Sequence, residues 1–143
     1  MLHKIYSLDD PHLALIQDDP VRPEIPAAER INNNSFIYVL KEDDRVCAVT
    51  CVKFLDVVPT AVEELFADTV QATIAVFYTI WSYASGSGRT LIEEAQRSIR
   101  SERPDIQTYV TLSPKTEMAR RFHLRNGAGV YRENPETVNY IYP

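Results

Sequence analysis

The stretch SYASGSGRTLIEEAQRS (residues 82–98) contains two of the chain's four glycines, Gly86 and Gly88, one residue apart. An apolar run, TIAVFYTIWSY (73–83), ends just before it, and its β-branched and aromatic residues predict a buried strand. After the glycines, Leu91, Ile92, Ala95 and Ile99 share one helical face with charged residues opposite. The pattern predicts a helix over Arg89–Glu102, stopped by Pro104. Glu93 and Glu94 early in that helix and Arg97 and Arg100 late in it suit the helix dipole. Two glycines at a strand-to-helix junction indicate a backbone path that a Cβ would block. A helix start also leaves unpaired amides and a partial positive charge. Together these make an anion pocket, with the amides of Gly86, Ser87, Gly88, Arg89 and Thr90 as donors and Arg89 adding a full charge.

Working outward, FIYVL (36–40) and RVCAVTCVKFLDVV (45–58) read as two strands of a hairpin joined by the polar KEDD. Residues 1–35 are the least regular part, where prolines and an asparagine run predict short helices joined by loops. Residues 60–72 read as a short helix or an irregular crossover. DIQTYVTL (105–112) alternates as a strand, with Ile106, Thr108, Val110 and Leu112 on one side. In SPKTEMARRFHLRNG (113–127), Ser113 is the expected helix N-cap, Pro114 the first helical residue and Gly127 the C-terminal cap. GVYR and TVNYIYP close the chain as strands. The fold class is α/β (α+β): a mixed, mostly antiparallel sheet flanked by helices.

The 143 residues are expected to form a single domain over 1–143. Hydrophobic residues make up 45% and charged ones 24%, as in an ordinary water-soluble protein. No apolar run reaches the roughly 20 residues that span a bilayer, so no membrane partner is expected. The acidic residues of MLHKIYSLDDPH interrupt any secretory core, and a cytoplasmic location is the expectation. A net charge of −5 argues against nucleic acid. The basic residues Arg97, Arg100, Arg103, Lys115, Arg120, Arg121, Arg125 and Arg132 form either solvated faces or a surface for a small polyanion. Cys47 and Cys51 lie four apart on a strand, on one face and roughly 13 Å from each other. That excludes a disulfide, and core thiols are expected.

Three phosphate-binding patterns can be laid over the glycine pair. A Walker loop needs a glycine where Tyr83 stands and a lysine where Arg89 stands. A dinucleotide fingerprint needs a third glycine where Leu91 stands. The pattern that fits is Gln/Arg-x-x-Gly-x-Gly/Ala between strand and helix, here Tyr83-Ala84-Ser85-Gly86-Ser87-Gly88. It resembles the acyl-coenzyme A loop of the GNAT superfamily of N-acetyltransferases. TEMARRFHLRNGA supplies a second likeness, with Thr116, Ala119, His123, Gly127 and Ala128 at the places of that family's last helix motif. The resemblance covers residues 36–142 and is strongest over 73–128. The chain departs from the motif at Tyr83, where Gln or Arg is usual, at Thr116 for asparagine, at Ala128 for an aromatic residue, and at His123 for the usual tyrosine.

The resemblance implies acetyl-CoA or another short acyl-CoA as donor and an amine of a small molecule or protein as acceptor. It implies a diphosphate on Ser85, Gly86, Ser87, Gly88, Arg89 and Thr90, and an acyl-pantetheine arm beside Tyr78, Thr79 and Ile80. In that family this strand splays from its neighbour and its amides pair with the pantetheine. His123 stands at the place of the acid for the leaving thiolate, with Tyr83 as the competing acid; no metal is implied. Glu63 and Glu64, in the crossover, are read as a base for the amine or as solvated surface. His3 and His12 have no evident partner. The alternative is a non-catalytic CoA-binding sensor or protein-interaction module; a homodimer is compatible with either.

Overall fold

The computed structural model describes all 143 residues, Met1–Pro143. Its sheet has eight strands: β1 Leu2–Ile5, β2 Ser35–Glu42, β3 Arg45–Leu55, β4 Ile74–Ser82, β5 Thr108–Thr111, β6 Ser113–Pro114, β7 Gly129–Glu133 and β8 Thr137–Tyr142. The order is β1-β2-β3-β4-β5-β8-β6, with β7 also paired to β8. All pairings are antiparallel except β4 with β5, which the crossing helix α2, Ser87–Glu102, makes parallel. The expected mixed, mostly antiparallel sheet is therefore present. The β2–β3 hairpin turns on Asp43 and Asp44, both left-handed at φ 50° and 67°, the backbone a two-residue hairpin requires.

One face of the sheet carries α2 and α3, Glu117–Arg125. There Leu91, Ile92, Ala95 and Ile99 of α2 pack on Phe36, Tyr38, Phe54 and Phe77. The other face is covered by the N-terminal segment, a 3-10 helix over Pro11–Asp18 and the one-turn α1, Ala27–Arg30. A further 3-10 helix, Val62–Phe66, completes this layer, and Ile25, Ile31 and Leu65 pack there on Ile37, Cys51, Val76 and Trp81.

Four sequence expectations are corrected. Residues 1–35 begin with a strand, β1, that pairs with β2 from Leu2↔Leu40 to Ile5↔Ile37. Ser113 and Pro114 belong to β6, and Thr116 caps α3, its hydroxyl accepting from the Ala119 amide at 3.2 Å. Ile106 lies before β5 and packs on the helix face, whereas Val110 and Leu112 pack on the opposite one. Cys47 and Cys51 face opposite ways, because the pairing moves from Leu40↔Ala48 to Lys41↔Val46 and leaves Cys47 as an extra, bulged residue. Both thiols are free and buried, and burial pushes that of Cys51 up to about 11.

The irregular N-terminal layer is held by a buried ion pair. The Arg30 Nη1 donates to Asp19 Oδ2 at 2.7 Å, with both side chains almost wholly buried. Arg30 also donates to the carbonyls of Arg22 and Ile25. The second Asp19 oxygen accepts from the amides of Val21 and Arg22 and from the Thr79 hydroxyl. Removing one partner strands the other charge in the interior. Arg30→Ala is expected to lower unfolding free energy by about 3–5 kcal/mol in urea titrations; a loss under about 1 kcal/mol would contradict this account.

Candidate functional site

Strand β4 has a neighbour on both edges only over its first half. Ile74–Phe77 pair with Thr108–Thr111 of β5, and the Leu112 amide reaches the Phe77 carbonyl at 3.2 Å. Beyond that point the two strands part. On the other edge, pairing with β3 runs Cys51↔Thr79 and then Val52↔Phe77, so Tyr78 is a bulged residue at the level where the gap opens. A bulge re-aims a strand, and here it leaves Tyr78–Ser82 with one free edge facing a cleft of about 340 Å³. Phe77 to Ser82 form one wall of that cleft; Leu112, Ser113, Pro114 and residues of α3 form the other.

The start of α2 borders the same cleft through Gly88. Gly86 is the N-cap at φ 80°, a left-handed backbone that glycine adopts without strain, and its missing Cβ faces open space. Gly88 is needed for another reason: a Cβ there would meet the Phe122 ring of α3 at 2.8 Å. The backbone amides of Ser85, Gly86, Gly88 and Arg89 have no acceptor within the chain. Ser87 turns inward, its hydroxyl within hydrogen-bonding distance of the carbonyls of Cys47 and Ala84, which share its single hydrogen. Ser85, Gly86, Arg89 and Thr90 are exposed, and Arg89 is paired with Glu93 at 3.1 Å. Four free amides at the positive end of a 16-residue helix suit an anion, and no protein atom lies within 4 Å of where a Gly86 Cβ would stand.

His123 lines the cleft from α3 and is 3% exposed. Its ring stacks on Tyr140 and meets Phe122 and Tyr142 edge-on. Burial pushes the imidazole down to about 4, so it is neutral at pH 7. The Tyr142 hydroxyl lies 2.7 Å from Nδ1. That buried hydroxyl has no other acceptor, so it donates to Nδ1 and leaves Nε2–H as the donor of the ring.

The cleft's remaining side is the turn Asp19–Arg22, which contributes Pro20 and Val21. Thr79 of β4 donates to Asp19, and Arg22 Nη2 donates to the Leu112 carbonyl at 3.0 Å. The turn thus bridges the two strands across their gap. No Asp, Glu, Lys or Arg lines the cleft.

Of the residues singled out in the sequence, Tyr78, Thr79, Ile80, Gly88 and His123 come together here. Tyr83 does not line the cleft. Its hydroxyl accepts from the Trp81 indole at 2.9 Å and donates to Asp18 at 2.7 Å, on the sheet face away from α2 and α3. Burial and Asp18 raise its pKa. Glu63 and Glu64 also lie outside the cleft, Glu64 accepting from the Thr60 hydroxyl. Four of the eight basic residues are engaged locally: Arg103 on Asp105, Arg121 on Glu117, Arg100 over Tyr109, Arg132 on the Val58 carbonyl. Sequence reasoning missed Phe122, Tyr142 and the 19–22 turn. Phe122 stands 34 positions from the Gly88 it packs on, so no local sequence signal marks that contact.

No protein-family model matches the sequence, and no curated protein does. Solved structures do. A malonyl-CoA decarboxylase from Cupriavidus metallidurans matches with a TM-score of 0.76 at 16% identity, over 99% of this chain and 60% of that one. An acetyltransferase ascribed to the GNAT family from Desulfovibrio desulfuricans matches with a TM-score of 0.64 at 14% identity, over 99% and 96%. The PaiA N-acetyltransferase of Thermoplasma acidophilum, solved with coenzyme A, matches at 0.56 and 13%, over 76% and 60%. This chain spans 35 to 60% of the length of three malonyl-CoA decarboxylases that it matches. The chain has the GNAT fold, as its motif resemblance implied. No helix is long and apolar enough to cross a membrane.

The His123 environment sets a pH dependence. The folded ring takes a proton near pH 4 and the unfolded one near 6.5, so the unfolded chain binds more protons between these values. Stability is therefore full above about pH 6.5 and falls toward pH 4, by roughly 3 kcal/mol. His123→Phe should flatten the slope of unfolding free energy over that window; an unchanged slope would refute the assignment.

Proposed function

We propose that this chain, as a single domain over residues 1–143, binds an acyl-CoA and transfers its acetyl or other short acyl group to an amine. The observation that carries the reading is the continuity of the free amides at Ser85–Arg89 with the free edge of β4. The diphosphate would sit on the amides of Ser85, Gly86, Gly88 and Arg89, with Thr90 beside them, and the pantetheine would lie along Tyr78, Thr79 and Ile80. The Gly86 corner fits such a group, being open outside and lined by donors. A bound acyl-CoA supplies an activated thioester. The chain's own part is to orient that arm between β4 and α3, to keep water out with an apolar lining, and to aim the Nε2–H of His123 at developing negative charge. A neutral imidazole acts here as a hydrogen-bond donor, not as a strong acid. Tyr83, which donates to Asp18 on the other face, is the weaker candidate.

A second reading is a non-catalytic CoA-binding module. The absence of any carboxylate from the cleft lining favours it, since an amine acceptor then lacks a base there. The malonyl-CoA decarboxylase likeness suggests a third chemistry, but the lining also lacks an arginine or lysine to seat a malonyl carboxylate.

Calorimetry with acetyl-CoA tests the shared premise. Gly86→Asp adds a carboxylate at an open, left-handed position that aspartate tolerates, and should weaken binding by about tenfold or more. Failure of the wild-type chain to bind would remove all CoA-based readings. Where binding holds, CoA thiol release against a panel of amines separates enzyme from module. His123→Ala should slow turnover by roughly 10²-fold. Tyr142→Phe, which frees Nδ1, should lower kcat more than it changes KM.

A further inference from the structure

Two of the chain's three histidines converge on one carboxylate, and none of the three residues lines the cleft. His3 of β1 places Nε2 at 2.7 Å from Asp10 Oδ2, and His12 places Nδ1 at 2.8 Å from Asp10 Oδ1. The two imidazoles are 4.5 Å apart, centroid to centroid. Asp10 is the N-cap of the first 3-10 helix and also accepts from the His12 amide at 2.8 Å, so one side chain fixes both the turn and the cluster. Burial alone would raise the Asp10 carboxyl; the hydrogen bonds it accepts from the His12 amide and the two rings hold it at about 2, so it is ionised at neutral pH.

We propose that His3, Asp10 and His12 form a binding site for a divalent cation of the zinc type, with His3 Nε2, His12 Nδ1 and an Asp10 oxygen as ligands and water completing the shell. The three ligand atoms lie within 4.8 Å of one another. Zinc in a tetrahedral site holds nitrogen and oxygen ligands at about 2.0–2.2 Å, which needs donors about 3.4 Å apart. Rotation of the two histidine side chains closes that difference, while the Asp10 carboxylate stays anchored on the His12 amide. Two imidazoles with one carboxylate suit zinc, cobalt or nickel rather than magnesium or calcium, which prefer all-oxygen shells. All three side chains are partly exposed, so an ion has a path in.

Loading requires a specific rearrangement of protons. In the metal-free cluster each ring donates an N–H to Asp10, and His12 Nε2 accepts from Lys41 Nζ at 3.1 Å. When the cation takes Nδ1 of His12, that ring carries its proton on Nε2, and the ammonium of Lys41 then faces a donor. Lys41 must swing away, so it opposes metal binding both by that clash and by its charge. A metal-binding histidine normally offers its second nitrogen to an acceptor, the reverse of this arrangement. Lys41 thus sets the affinity low, as a reversible site would have.

The full chain, free of any affinity tag and stripped with EDTA, is titrated with zinc chloride by calorimetry and with cobalt chloride by visible absorption. One ion per chain and cobalt bands of a low-coordinate nitrogen–oxygen site are expected. His3→Asn and His12→Ala should each weaken zinc binding by about tenfold or more. Lys41→Met should tighten it, a gain that general destabilisation would not produce. The proposal is overturned if the wild-type chain shows no saturable one-to-one binding, or if binding persists unchanged in both histidine variants. An unchanged or weakened affinity in Lys41→Met overturns ligation through His12 Nδ1.

Discussion

The buried Asp19–Arg30 pair is the constraint on which the architecture around the cleft depends. Two opposite charges, nearly without solvent contact, persist only because each is saturated with hydrogen bonds. Asp19 takes donors from two amides, a threonine and the guanidinium; Arg30 gives to Asp19 and to two carbonyls. Those bonds turn a proline-rich segment without periodicity into a fixed wall. They also fix the Asp19–Arg22 turn, whose two ends reach β4 at Thr79 and Leu112 just after β5. The separation of the strands is thereby braced from behind.

Legibility in the sequence follows the range of the forces involved. The β2–β3 hairpin, β4 and α2 announce themselves through apolar periodicity and through Gly, Asp and Pro at their ends, all local signals. β1 is a four-residue edge strand with His3 and Lys4 in it, and only pairing with β2 makes it a strand. The bulges at Cys47 and Tyr78 shift side-chain parity by one residue, which no alternation pattern records. The α3 cap moves from Ser113 to Thr116 because β8 claims Ser113 and Pro114 as a short strand.

The glycine motif was legible, but one explanation does not serve both members. Gly86 provides a left-handed turn with open space beside it; Gly88 provides room for the Phe122 ring. The second requirement couples α2 to α3, so the loop bearing free amides and the helix bearing His123 rest directly on each other. His123 itself was found by motif position, while its neutral state arises from Tyr140, Phe122 and Tyr142, residues up to 19 positions away. The His3–Asp10–His12 cluster escaped notice because β1 did.

An unpaired strand edge is ordinarily a hazard, since its bare peptide groups invite a second chain to add on. The free half of β4 is an edge of this kind, yet it lies in the interior of the sheet, with α3 on one side and the 19–22 turn on the other. A slender, linear molecule can reach it, whereas a neighbouring protein's strand cannot. The fold thus keeps reactive backbone on offer without risking aggregation through it.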